Sequence, residues 1–343
     1  VFLGSSGSEA MEAAIKVAER AAGPAKPKIV YATNSFHGKT KGVLSITDGP
    51  LYRGEFKLVE NNVRVPFGDI EAIENAFRSD PQIGVIVLET VQGGGGIIQA
   101  DEAFWKKLRQ LCDQYGVLWV ADEVQCGFGR TGKFYAFEHY GVVPDVTALA
   151  KSLGGGKAAV GAMIARREVY LKAYGTPKTA MIHAMATFGG IGEACITSIE
   201  ALNVLYDEGL IDNSAEVGDY LLERLQALQA RYPTLLKEVR GKGMMVGLEF
   251  HDFSQAMPMV LRPLLSVLDD KLKGSLPGFI GSHLLRDHGV LVAFTEYNRN
   301  VIRLEPPLIC ERSHVDDFIT ALDEVLSRGI VKIVRDFVTA QMK

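Results

Sequence analysis

One stretch limits what this chain can fold into more than any other. Between Val117 and Gly156, two apolar runs each end in a charged residue beside a glycine-rich loop. The first run, Val117-Leu118-Trp119-Val120-Ala121, reads as a buried strand and passes into Asp122-Glu123-Val124-Gln125. Gly127-Phe128-Gly129-Arg130-Thr131-Gly132 follows. The second run, Val146-Thr147-Ala148-Leu149-Ala150, stops at Lys151 and continues as Ser152-Leu153-Gly154-Gly155-Gly156. Open α/β sheets bind ligands beyond the carboxyl ends of their strands. The pattern therefore predicts an acid, Asp122, and an amine, Lys151, at one rim, where both can grip one ligand.

Three explanations compete for this stretch. Taken singly, an Asp that caps a turn and a solvated Lys need no ligand at all. A phosphate-loop reading notes that Gly127 to Lys133 fits G-x-x-x-x-G-K. Against it, Phe134 stands where Ser or Thr has to bind Mg²⁺, and Asp122-Glu123 precedes the loop instead of following it. The third explanation is a pyridoxal phosphate (PLP) site. PLP needs a lysine for a Schiff base and an acid for its pyridine nitrogen. It also needs a phosphate cup and a surface to stack on its ring.

The Asp122–Gln125, Gly127–Gly132 and Ala150–Gly156 motifs resemble, in order and spacing, those of the class III aminotransferases. This is the ornithine, acetylornithine and putrescine group, and Phe36-His37-Gly38-Lys39 is closest to its putrescine members. The resemblance runs from Leu3 to about Leu326. It implies an α/β fold, the PLP-dependent transferase fold type I. That fold has a mostly parallel central sheet with flanking helices and a smaller α+β C-terminal domain. The implied division is a large cofactor-binding domain over 1–235 and a small domain over 236–343. The chain begins at Val1 without Met, inside what reads as a strand end, and the resemblance implies that roughly a quarter of a family member precedes it.

Composition narrows the partners. The 343 residues are 47% hydrophobic, ample for one large α/β unit or two domains. A formal net charge of −4 without a basic run argues against nucleic acid. No apolar run reaches membrane-spanning length. Cys112, Cys126, Cys195 and Cys310 lie far apart with no Cys-x-x-Cys, which argues against zinc and for a reducing cytoplasm.

The remaining motifs fill out the expected site. Gly4-Ser5-Ser6-Gly7-Ser8 feeds a helix over 9–22, with Ser8 as its N-cap, and such a terminus attracts anions. The resemblance implies that Ser6, Gly7 and Ser8 hold the phosphate. It implies that Phe36 covers one ring face, Val124 presses on the other, and Gln125 bonds the ring hydroxyl. Lys151 is the implied Schiff-base lysine and proton shuttle, and Asp122 the partner of the pyridine nitrogen. His37 and Glu89 complete the implied cofactor set. Thr187, in Ala186-Thr187-Phe188-Gly189-Gly190, is implied to reach the cofactor phosphate of a neighbouring subunit, which makes the expected assembly a homodimer. Arg303 matches the carboxylate-binding arginine, and a planar fork suits a carboxylate. Lys39 replaces a second arginine, so distal-carboxylate recognition should be weaker. Gly94 replaces a glutamate that pairs with an arginine in ornithine-type enzymes, so Arg303 is expected to stay unpaired.

The expected function is a PLP-dependent transaminase. It moves an amino group between a terminal, diamine-like primary amine and a 2-oxo acid. The alternative is amination of an aldehyde or ketone intermediate in secondary metabolism, such as prodigiosin pyrrole biosynthesis. A non-catalytic binding module and a P-loop hydrolase are more distant. Periodicity also predicts helices over 69–78, 101–115, 191–206, 212–232, 256–272, 282–287 and 313–326. Strands are predicted over 28–32, 84–88, 160–165, 289–293 and 300–304.

Overall fold

Short runs rich in Val, Ile and Ala build the larger sheet of the computed structural model, which describes residues 1–182, 186–257, 259–261, 269–272 and 274–341. Its strands are β1 (Phe2–Gly4), β2 (Lys28–Ala32), β3 (Val63–Val65), β4 (Ile83–Glu89), β5 (Leu118–Asp122), β6 (Val146–Leu149) and β7 (Gly161–Ala165). They lie in the order β1-β7-β6-β5-β4-β2-β3. Pairs from β3 to β6 are parallel, and β7 runs against both of its neighbours.

Both faces of this sheet are covered, as a parallel sheet requires. Val85 and Val87 of β4 join the core built on helix α1 (Gly7–Ala22). Ala10, Ala13, Ala14, Ala18 and Ala21 are wholly buried there, and their small side chains let α1 sit close to the strands. Ile86 and Leu88 face the other way, into the core of helix α2 (Glu102–Tyr115). Trp105 of α2 stacks on Trp119 of β5 with ring centroids 5.4 Å apart. Asp101 caps α2 by accepting the Phe104 N–H at 2.7 Å, as the sequence predicts.

The base of β5 and β6 is tied by one buried carboxylate. Asp145 accepts the Trp119 N–H at 2.8 Å and pairs with Arg109 at 2.9 Å and Arg166 at 3.5 Å. Asp145→Ala should therefore cost about 3 kcal/mol of stability, because it strands the Trp119 N–H and leaves the largely buried Arg109 guanidinium with Asp113 as its remaining carboxylate. Asp145→Asn should cost less, since its oxygen can still accept from Trp119. Urea unfolding measures both, and an unshifted midpoint for the alanine variant would remove Asp145 from this role.

The chain divides into two units: residues 1–93, 99–129 and 133–210, and residues 94–98, 130–132 and 211–343. Helix Leu210–Arg231 falls almost wholly in the second unit. Its Val217, Leu221, Leu225 and Leu228 are buried in the core of the second unit. That unit carries an antiparallel sheet of β8 (Leu236–Lys242), β9 (Met245–Phe250), β10 (Ala293–Phe294) and β11 (Val301–Leu304), ordered β8-β9-β11-β10. Helices Ser275–His288, Arg312–Ser327 and Ile330–Gln341 accompany it.

Two predicted elements of this unit need correction. The strand predicted over 289–293 begins only at Ala293, because Gly289 adopts a φ of 69° and terminates the preceding helix. That helix starts at Ser275, well before 282. Helix Ile330–Gln341 lies beyond the last helix predicted from periodicity and buries Ile330 and Ile333. Of the helix predicted over 256–272, residues 258 and 262–268 lie outside the described residues. Among the described residues, no helix is long and apolar enough to cross a membrane.

Candidate active site

Register places the charged groups together. Glu89 and Asp122 are direct partners at the carboxyl ends of β4 and β5. β6 lies beside β5, and Lys151 follows its end. Beyond this rim lies a cavity of about 350 Å³. Of the residues expected to hold the cofactor, all but Thr187 line it.

One end of the cavity is a helix terminus. The N-cap of α1 is Ser6, not Ser8: Ser6 is extended (φ −159°, ψ 165°) and its hydroxyl accepts the Glu9 N–H at 3.2 Å. The helix thus starts at Gly7, and the Gly7 and Ser8 N–H groups belong to the first turn, which has no intrahelical acceptors. Gly7 is needed there, because a Cβ on it would lie 2.9 Å from Val124. Such a terminus, with serine hydroxyls beside it, suits an anion.

The floor is acidic and buried. Asp122 is 4% exposed. Its Oδ1 accepts the Val124 N–H at 3.0 Å, and its Oδ2 lies 2.8 Å from Nδ1 of His37. Glu89 Oε2 accepts the Phe36 N–H at 3.2 Å. Burial, and then the charge of Asp122, push the Glu89 carboxyl well above the usual carboxylate range. Glu123 is spent on the scaffold instead. It accepts from Thr90 Oγ1 at 2.5 Å and from the Ala136 N–H at 2.8 Å, and burial pushes its carboxyl up to about 7.

The amine stands on an unusual backbone. Lys151 opens a single 3₁₀ turn, Lys151–Gly154, with a φ of 51°. Residues other than glycine seldom adopt this left-handed conformation, and those that do cluster at functional sites. Gln125 also lines the cavity, and Gly93 packs closely on it: a Cβ at 93 would lie 2.0 Å from its amide oxygen, so a larger residue would displace that amide.

Lys39 and Arg303, the residues expected to bind substrate, each have contacts of their own. Lys39 Nζ sits 4.8 Å from the Tyr52 ring centroid and 5.8 Å from that of Phe36. Arg303 lies on β11 of the second unit and is not unpaired as expected: its Nε is 3.2 Å from Glu305 Oε2. Positions 303 and 305 share a face because side chains alternate along an extended chain. Thr187 is exposed in a turn, and residues 183–185 before it are outside the described residues.

The sequence reading missed Ala158, Ala159 and Val160, which line the cavity. They precede β7, and only its antiparallel pairing with β6 brings its start to the rim where β6 ends. The phosphate-loop reading fails on local structure. Gly127 to Lys133 is turn, followed by the short 3₁₀ segment Ala136–Tyr140 and not by a helix that could cradle phosphates.

The lining as a whole fits PLP. It joins an amine, a buried carboxylate, a side-chain amide and an open helix N-terminus around a space of ligand size.

Comparison with known proteins agrees. The family described as aminotransferase class-III matches residues 1–326. Aminotransferase PigE of a Serratia species is 34% identical over 353 residues, covering 95% of this chain and 41% of that protein. The chain thus spans less than half of PigE. Acetylornithine aminotransferase of Caldanaerobacter subterraneus is 39% identical over 332 residues, covering 95% of this chain and 75% of that protein. Putrescine aminotransferase of Pectobacterium atrosepticum is 36% identical over 333 residues, covering 95% and 66%. Among solved structures, a PLP-bound amine transaminase from an uncultivated Pseudomonas species superposes with a TM-score of 0.82 at 29% identity. That match covers 96% of this chain and 77% of the other.

Proposed function

The chain belongs to the class-III aminotransferases, and from that premise we propose that it is a PLP-dependent transaminase acting on a terminal primary amine and a 2-oxo acid. The observation that carries this reading is the presence of Lys151 and Asp122 in one cavity with the N-terminus of α1.

Bound there, PLP supplies an electron-withdrawing ring that lets a proton leave the carbon next to the substrate nitrogen. The chain's own groups do the rest. Ser6, Gly7 and Ser8 hold the phosphate by N–H and O–H donation. Phe36 and Val124 confine the ring between them, and Gln125 bonds its hydroxyl. Asp122 keeps a proton on the ring nitrogen by opposing it with a charge. The Lys151 amine would take the proton from the substrate carbon that bears the nitrogen and hand it to the carbon on the nitrogen's other side. Arg303 receives the acceptor's carboxylate in exchange for Glu305, and Lys39 adds a single charge without a bidentate fork.

The proposed assembly is a cytoplasmic homodimer in which Thr187 reaches the neighbouring site. Support comes from the segment of chain that carries Thr187. Met181, Phe188 and Ile196 are 85%, 68% and 70% exposed along this stretch, apolar side chains that a partner subunit would cover. Mixing Lys151→Ala subunits with Thr187→Asp subunits should restore activity, because one of the two hybrid sites is then unmutated. No recovery despite proven exchange would confine the site to one subunit.

The reaction itself is tested by an amine-donor and carbonyl-acceptor screen on the PLP-loaded protein. Diamines with 2-oxo acids should give amino-acid products. A screen in which aldehydes or ketones are aminated and 2-oxo acids are not would favour a second reading, synthesis of an amine intermediate, for which the identity with PigE speaks. Transfer with neither class would overturn both.

A further inference from the structure

Glu12 lies outside the cavity lining, yet its carboxylate holds the loop that walls the cavity. It stands on α1 and is half-buried. Its Oε1 accepts the Thr40 hydroxyl at 2.6 Å and the Val43 N–H at 3.1 Å. Val43 belongs to the short helix Lys41–Leu44. The N-cap of that helix, Thr40, makes no side-chain bond to the helix N–H groups and gives its hydroxyl to Glu12. The capping carboxylate therefore comes from another helix, where it satisfies a free N–H and opposes the positive end of the helix dipole. Gly42 leaves it the space: a Cβ there would lie 2.3 Å from Glu12 Oε2.

What the short helix fixes reaches the cavity. The chain leaves it through Ile46 and Thr47. The Ser35 hydroxyl donates to the Ile46 carbonyl at 2.9 Å, and the His37 N–H donates to Thr47 Oγ1 at 2.9 Å. Thr47 Oγ1 in turn donates to the Gly38 carbonyl at 2.9 Å. Ser35 and Thr47 are wholly buried, so water does not replace these bonds. Residues 35–38, with the cavity-lining Phe36 among them, are thus fastened to the segment that Glu12 anchors. The loop also rests on the first turn of α1, since a Cβ on Gly38 would lie 2.4 Å from Ser8 Oγ. The helix terminus suited to phosphate and the Phe36 wall share one helix as their base.

Resting on the transaminase reading, we propose that Glu12 is a positioning residue that sets the Phe36 wall relative to the N-terminus of α1. PLP carries its phosphate and its ring at a fixed separation. A wall already aligned with the phosphate end spares the ordering of the loop when the cofactor binds.

Three replacements separate this role from damage to α1. Glu12→Ala removes both bonds, Glu12→Gln keeps an oxygen for both donors, and Gly42→Ala crowds the carboxylate off its place. PLP affinity of the protein, followed by titration, should fall about tenfold to a hundredfold for Glu12→Ala, the range of a hydrogen bond to a charged group. Glu12→Gln should recover most of the loss. Gly42→Ala should weaken PLP binding on its own and add little to Glu12→Ala. Inorganic phosphate, which fills only the helix terminus, should bind PLP-free wild type and Glu12→Ala equally. Unchanged PLP affinity, an equal loss for phosphate, or glutamine no better than alanine would overturn the proposal. The Gly42 variant keeps the test open if Glu12→Ala fails to fold.

A separate readout needs no cofactor. In PLP-free protein, hydrogen exchange of the His37 amide should speed up about tenfold or more in Glu12→Ala, because the loop opens more often. The buried turns of α1 should stay protected. Faster exchange throughout α1, or none at His37, would overturn the proposal even in an active transaminase. Wild-type protein that takes up no PLP, while Glu12→Ala shows this exchange pattern, would sink the transaminase reading and leave the link from Glu12 to the loop standing.

Discussion

Lys151→Ala is expected to leave a folded protein that cannot turn over. The side chain is exposed at the cavity and makes no contribution to either hydrophobic core of its unit. Loss of a positioned acid–base group alone removes about 10²–10⁴-fold in rate, and loss of the covalent anchor for PLP adds to it. Borohydride treatment of PLP-loaded wild type should fix the cofactor's mass on the peptide that contains Lys151. The alanine variant should lose that label. The same label on Lys151→Ala would show that another amine carries the cofactor. Backbone strain gives an internal control. At a φ of 51° glycine is the unstrained residue, so Lys151→Gly should be as inactive as Lys151→Ala but more stable, by about 0.5–1 kcal/mol.

Asp122→Asn is expected to separate binding from chemistry. The amide is nearly the same size, and its oxygen can still accept the Val124 N–H. What it lacks is the charge that keeps a proton on the ring nitrogen. PLP should still bind and still be trapped on Lys151 by borohydride. Turnover should nevertheless fall by about 10²–10³-fold, the usual effect of removing one preorganised electrostatic contact to the reacting centre. A rate equal to wild type would take Asp122 out of the mechanism. Loss of PLP together with rate would assign Asp122 to binding alone.

Much of the architecture was legible because it depends on local rules. Strands β2, β4, β5 and β6 follow from short apolar runs. Helix α2 follows from Asp101 at its start and Gly116, with a φ of 61°, at its end. The Arg303–Glu305 pair was also legible in principle, since the spacing of two is the strand period. The N-cap of α1 was ambiguous for a different reason. Ser6 and Ser8 are both good caps, and only the course of the backbone decides which one adopts the extended conformation.

By itself the sequence determined the repertoire of this protein: which residues end strands, which open a helix, and which carry an amine, a carboxylate or a guanidinium. These follow from neighbours a few positions apart. Only the tertiary structure decided which of them meet. His37 and Asp122 are 85 positions apart and touch across buried elements. Ala158 to Val160 reach the rim because one strand reverses its direction. The hydrophobic burial that stacks strands in that order is non-directional and depends on the whole chain, so no local pattern of residues records those meetings.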